Sequence, residues 1–489
     1  MIILFLVLTA IYFIAALRWT SGAVLILPLF FPLYLFKVSL YGIPVTLIEM
    51  FIYSAFLAFC LRAFYVHYKK HGISKIIAKV HLHFLKHRLF SKDVLIYVLP
   101  ILLLILGAVL SFMATPESVT MLDGSEYQSR KVALGIFKGW IISPILMFLM
   151  LFFVIKKNKQ VLTLFNYYTV SAFILSLWAT FQIATQQYIT PDARASGPFE
   201  SANYLALYLA PAVLYTMIRV KESLFPVIYL EKYSLWKLPF RRGKFPIEKP
   251  ETVFSLMGFL VFFLVLLFAK SYGAVIGIGV AAIFYFGLEY FQYHKRKLEK
   301  KVPWKTILGT ILIIGITALS LYNVDPGKWE SMFKFDERNS SSVRIEVYTV
   351  SLNLLQENWL LGIGMGNYPA MYQTEAERIL GHEPYELNML HPHNIFVAAW
   401  LNLGLIGLSG FIWIIVLCFH RAAPYMKDFA YNKVLDNQKL GMIGISMLLI
   451  TLAHGMFDTP FFKNDLSLLF WVIVAMCLLP YKSKEIQVK

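Results

Sequence analysis

Apolar runs of about 17 to 25 residues recur from one end of this chain to the other, each long enough to cross a ~30 Å hydrocarbon core as a helix. Backbone polar groups find no water in lipid, so such a chain folds as a helical bundle or as a closed barrel. The short alternating segments of a barrel are absent, which leaves helices. Composition agrees: 58% of the residues are hydrophobic and only 15% charged, with a mean hydropathy of +0.65. The sequence predicts an all-α, polytopic membrane protein forming one integral membrane domain over residues 1–489.

Spans are expected near residues 1–17, 22–41, 43–66, 93–112, 139–155, 161–182, 201–218, 252–269, 272–291, 306–322, 394–418, 441–457 and 466–480. That is 13 helices, or 12 if the first two form one broken or re-entrant element. The first run lacks a basic leader and a small-residue cleavage site, and reads as a retained span. Cys60, Cys418 and Cys477 each fall in an apolar span, giving neither a disulfide framework nor a zinc site.

Lysine and arginine set the orientation. Loops near 67–92, 156–160, 219–250, 292–305 and 419–440, with the tail 481–489, hold 31 of the 45 basic residues. The alternating loops near 113–138, 183–200, 270–271, 323–393 and 458–465 hold 11. Basic loops resist translocation, so the first set is assigned to the cytoplasm. The net charge of +17 is then a topology signal and an attraction to anionic membrane lipids. Nucleic acid is not an expected partner, because no apolar core outside the spans is large enough for a basic soluble domain.

Candidate chemistry gathers on the outer side. The segment 323–393 is too long for a simple turn and is expected to be partly helical. Within it, Ile345, Tyr348, Leu352, Leu355 and Trp359 recur at helical spacing, which predicts an amphipathic helix at the membrane surface over Arg344 to Leu361. Gly362, Gly364 and Gly366 then break that helix and permit close backbone approach. The segment ends in His391-Pro392-His393-Asn394, opening directly into the span 394–418. Histidine titrates near neutrality and suits proton transfer, and Pro392 holds His391 extended. The same histidines also read as interfacial or capping groups, and a two-histidine metal site has no evident third ligand. Arg194 reads as an anion-binding cation or as a solvated charge; Lys270, at a span end, can simply snorkel. His454 to Asp458 is a further polar group at an outer edge, where Asp458 either pairs with a cation or ends the span.

Several of these motifs together resemble one family. His393-Asn394, nine residues, then Gly404-Leu405-Ile406-Gly407 gives H-N-x9-G-x-x-G at the outer end of a late span. Arg194-Ala195-Ser196-Gly197, followed by Asn203, precedes a middle span; Ser342-Val343-Arg344, Trp359 and Gly362 to Tyr368 lie in a large outer loop. Over roughly residues 180–480 the chain resembles the O-antigen ligase superfamily, which includes O-antigen polymerases and protein O-oligosaccharyltransferases. One departure is Lys270-Ser271-Tyr272-Gly273, where the family commonly carries Ser-Arg-Gly; Lys270 would supply the cation from two positions away, as a point charge without a planar fork.

The resemblance implies a GT-C-like, metal-independent, inverting glycosyltransferase without a cofactor in the cytoplasmic membrane, with its site on the extracytoplasmic face. It implies a polyprenyl-diphosphate-linked glycan donor and a lipid, glycan or protein acceptor. His393 would take the acceptor proton, with Arg194 and Arg344 stabilising the departing diphosphate. Lys270, Asn394, His391, Asn203 and Tyr368 would bind substrate, and Tyr372 lies on the same loop. No Asp-x-Asp stands on the outer loops to hold a metal ion. A lipid-linked glycan flippase or transporter is the non-enzymatic alternative, though internal repeats and midplane polar breaks are not evident.

Overall fold

A computed structural model describes residues 2–86, 92–224, 250–295, 315, 338–427 and 437–479. It is almost entirely helical. The helices are α1 (Ile2–Arg18), α2 (Thr20–Ile26), α3 (Leu47–Lys86), α4 (Lys92–Ala114), α5 (Ser129–Ile136), α6 (Ser143–Val154), α7 (Asn158–Thr185), α8 (Ala202–Leu224) and α9 (Pro250–Ala269). They continue with α10 (Tyr272–Lys295), α11 (Ser340–Glu357), α12 (Tyr368–Leu380), α13 (Ile395–Ala422), α14 (Asn437–His454) and α15 (Asn464–Leu478). Among the described residues, seven helical segments are long and apolar enough to cross a membrane, and four shorter apolar helices accompany them. The expected span 306–322 lies, apart from Gly315, outside the described residues.

Two expectations need correction. Residues 22–41 do not form a straight span: α2 passes into a 3-10 helix, Leu27–Leu35, and then a strand, β1 (Lys37–Leu40), paired antiparallel with β2 (Ile43–Thr46). Pro28 and Pro32 withhold the N–H groups a continuous helix needs, and Tyr41-Gly42 turns the hairpin with φ of 53° and 81°. The basic stretch after residue 66, expected as a loop, instead prolongs α3 to Lys86.

The chain divides into two compact units. The first comprises Met1–Val154, Phe335–Leu417 and Phe461–Trp471. Here α4 and α13 meet through glycines: a Cβ on Gly107 would lie 2.2 Å from Gly407 N, and one on Gly410 would lie 2.6 Å from Leu104 N. Small residues let helix backbones approach where lipid supplies no hydrophobic drive between helices. Outside the spans, α11 and α12 share an apolar core of Val347, Val350, Leu354, Tyr368, Tyr372 and Ala376.

The second unit comprises Ile155–Lys334, Cys418–Pro460 and Val472–Lys489. Its α10 and α14 pack at Gly273 and Gly277, where a Cβ would come within 2.5 Å of the His454 ring and 3.1 Å of the Ile450 carbonyl. Toward the other ends of these helices, buried Lys439 donates to both carboxylate oxygens of Glu222 at 3.0 Å, and Lys221 bridges Glu222 and Glu289. Pairing is what makes such charges tolerable near a membrane span.

Candidate active site

In the first unit, the His391–Asn394 segment sits at the head of α13. Asn394 is the N-cap: its Oδ1 accepts from Phe396 N at 2.9 Å and Val397 N at 3.2 Å, and its carbonyl accepts from Ala398 N at 2.8 Å. That employs the Asn394 oxygen in ending the loop and leaves only its NH2 for a substrate. Immediately before it, His393 has a left-handed φ of 51°. Such a backbone costs a non-glycine residue of order 1 to 3 kcal/mol and persists only where the surroundings impose it. The turn brings the His391 and His393 rings together, centroids 4.5 Å apart and edge to face. Two imidazoles so placed can share or relay a proton, or supply two nitrogens of a metal site.

The amphipathic helix stands opposite this turn. It runs over Ser340–Glu357, starting earlier than expected because Asn339 caps it: the side chain accepts from Ser341 N and Ser342 N at 2.8 and 3.0 Å, and Ser342 Oγ accepts from Asn339 N in return. The Tyr348 hydroxyl donates to the His393 carbonyl at 3.1 Å. Arg344, one turn earlier on the same face, donates to the Ser340 carbonyl at 3.2 Å. Ile345 and Leu352 are exposed, as is Trp359 beyond the helix end, while Val347, Val350, Leu354 and also Leu355, expected on the exposed stripe, are buried in the core shared with α12.

The three glycines after α11 are explained by close approach. All have positive φ, and a Cβ on Gly362 would lie 2.3 Å from the Leu401 carbonyl. Ile363 N donates to Leu401 O at 2.9 Å, and Leu405 N to Leu360 O at 3.0 Å. The second exchange exists because Gly404 breaks α13 with φ 65°, ψ −178°. The G-x-x-G of the motif is therefore architectural: Gly404 opens the helix to the loop, and Gly407 admits α4.

Tyr368 is placed differently from expectation. It is buried between α11 and α12, its hydroxyl 3.0 Å from Ser351 Oγ, which leaves it no surface for a sugar. Tyr372 is also buried, and desolvation together with the Glu346 and Glu386 carboxylates pushes its hydroxyl up to about 12.

In the second unit, the Arg194 loop is clamped from two sides. Buried Gln182 on α7 accepts from Ser196 N and Gly197 N at 3.1 and 2.8 Å and donates to the Gly197 carbonyl at 2.8 Å. Ala195 N donates to Phe268 O near the end of α9 at 3.1 Å. The Arg194 guanidinium, largely buried, donates from Nε to Asp192 and from Nη1 to Asn203 Oδ1 at 3.2 Å and the Ala269 carbonyl at 3.4 Å. Arg194 thus caps the C-terminal end of α9, a favourable place for a cation. Asn203 touches the guanidinium and so orients it. Lys270, next after α9, has a left-handed φ of 49°, and Ala193 beside Arg194 one of 51°. Burial raises the Asp192 carboxyl, but the Arg194 charge and hydrogen bonds from Thr190 and Arg194 outweigh it, and the net shift is downward.

Gln182, Tyr348 and Asp192 were not singled out from the sequence as site residues. Gln182 belongs to no motif, and Tyr348 falls in the apolar helical spacing. Asp458 is buried, with Oδ1 accepting from Thr459 N at 2.8 Å.

Residues 257–412 match the family model described as O-antigen ligase. The matched stretch contains Lys270, Arg344, His391, His393, Asn394, Gly404 and Gly407, and ends short of neither glycine; Arg194 and Asn203 lie before it. No curated protein matches the chain.

Proposed function

With the O-antigen ligase pattern of residues 257–412 in a multi-pass membrane protein as the premise, we propose that this chain is a glycosyltransferase using a polyprenyl-diphosphate-linked glycan. The glycan passes to a hydroxyl on the extracytoplasmic face of the cytoplasmic membrane, an assignment supported by the asymmetry of Lys and Arg between loops. The acceptor oxygen forms a bond to the anomeric carbon from the side opposite the leaving group, as the carbon to phosphate-oxygen bond breaks. His393 takes the hydroxyl proton, and the diphosphate leaves with its electron pair as an anion. Arg344, in the same unit as His393, is assigned to that anion, since fixed cations stabilise developing charge; Arg194 and Lys270, in the second unit, are proposed as anion-binding cations. The glycosyl transfer as written needs no metal.

The observation that carries this reading is the turn at the head of α13, where two imidazoles stand 4.5 Å apart on a backbone held in a left-handed conformation. The test is purified protein with a defined polyprenyl-diphosphate glycan and separate lipid, growing-glycan and protein-hydroxyl acceptors, with and without EDTA. A new glycosidic bond of inverted configuration, undiminished by EDTA, is expected, and the acceptor that reacts separates ligase, polymerase and protein transferase. Movement of the lipid-linked glycan across proteoliposomes with no new bond would replace the enzyme reading by a transporter.

A further inference from the structure

We propose that Tyr348 is a positioning residue that holds His393 in its working conformation and ties it to the helix bearing Arg344. The proposal rests on the catalytic reading of His393 given above. A left-handed histidine relaxes unless something retains it, and the peptide leaving His393 is retained from two directions. On the chain's own side, Asn394 caps α13 through Phe396 N and Val397 N. From outside, the Tyr348 hydroxyl donates to the His393 carbonyl at 3.1 Å. That carbonyl belongs to the same peptide plane as the Asn394 N–H, so the phenol fixes the rotation that sets where the preceding imidazole points.

The donor is carried on a stiff support. Helix α11 is capped by Asn339 and buries Val347, the residue before Tyr348, against α12. Tyr348 itself is half-buried and stays within reach of the turn. Arg344 lies one turn before it on the same helical face, so one hydrogen bond sets the offset between a cation and a base that the mechanism uses together. Arg344 is held in place by its Nη1 bond to the Ser340 carbonyl. The sequence shows Tyr348 only as one member of an apolar stripe, and nothing in its spacing distinguishes it.

The experiment measures glycan transfer per folded molecule for Tyr348→Phe, Tyr348→His and His393→Ala. Tyr348→Phe keeps the ring and loses only the hydroxyl. Its kcat is expected to fall about tenfold to a hundredfold, the scale of a misoriented catalytic group, while the donor KM stays within about twofold. Tyr348→His keeps a ring N–H and is expected to recover part of that loss. A wild-type kcat in Tyr348→Phe, with His393→Ala inactive, would overturn the positioning role and leave the catalytic one standing. Full transfer by His393→Ala would remove the reading on which it rests. A loss in Tyr348→Phe confined to the yield of folded protein, with kcat per folded molecule unchanged, would likewise overturn the proposal.

Discussion

The His393 turn and the Arg194 loop strike different balances between backbone geometry and side-chain bonding. In the first unit, the turn depends on backbone geometry: three glycines after α11, the Gly404 break in α13, a left-handed His393 and an asparagine cap. In the second unit, the loop depends on polar side chains: Gln182 grips its backbone, while Asp192, Asn203 and the Ala269 carbonyl surround the guanidinium. The difference follows from chemistry. A ring placed at the head of a helix takes its direction from the backbone that carries it. A largely buried cation near a membrane span needs polar partners around it.

The sharpest way to break this contrast is a backbone substitution in the first unit. Gly404→Ala would bring a Cβ to 2.4 Å from the Leu360 carbonyl at a positive φ, so the largest effect, loss of monodisperse folded protein in detergent, is expected there. Normal yield would mean that the break in α13 is not what shapes the turn. In the second unit, Gln182→Leu strands two buried N–H groups and a carbonyl, and should lower stability by about 2 to 5 kcal/mol, read as a fall in Tm. Asn394→Ala removes one cap and is expected to cost about 1 kcal/mol, with a similarly modest effect on yield.

The smallest effect belongs to Asp192→Asn. Its ion pair is half exposed, so a stability change of about 0 to 1 kcal/mol is expected at neutral pH. The Asp192 carboxyl sits below its ordinary value of 3.8 in the folded protein. Its contribution is therefore fully present above that value and lost as pH falls through the lower folded one. Thermal melts of the wild type and Asp192→Asn should differ at pH 7 and converge in strong acid. A gap that persists or widens in acid would remove Asp192 as the partner of Arg194.

Sequence patterns exposed the membrane spans because a helix in lipid must be long and apolar, and that requirement is local. Motifs point to His393 and Arg194 as candidates, but not to the groups that hold them. Gln182 lies 14 residues before Ser196, and the Ala269 carbonyl is 75 residues beyond Arg194 and carries no residue identity at all. Residues 22–41 misled because their hydropathy is membrane-like, whereas two prolines and the Tyr41-Gly42 turn decide the backbone. Tyr368 misled for a different reason: a tyrosine on a polar loop reads as exposed until the loop is seen to have its own core.

The base role of His393 is tested by transfer in His393→Ala, measured with purified folded protein and a defined polyprenyl-diphosphate glycan. The kcat of this variant is expected to fall about 10² to 10⁴-fold, the contribution of a positioned general base, with the Tm within a few degrees of wild type. Wild-type turnover by His393→Ala would contradict that role.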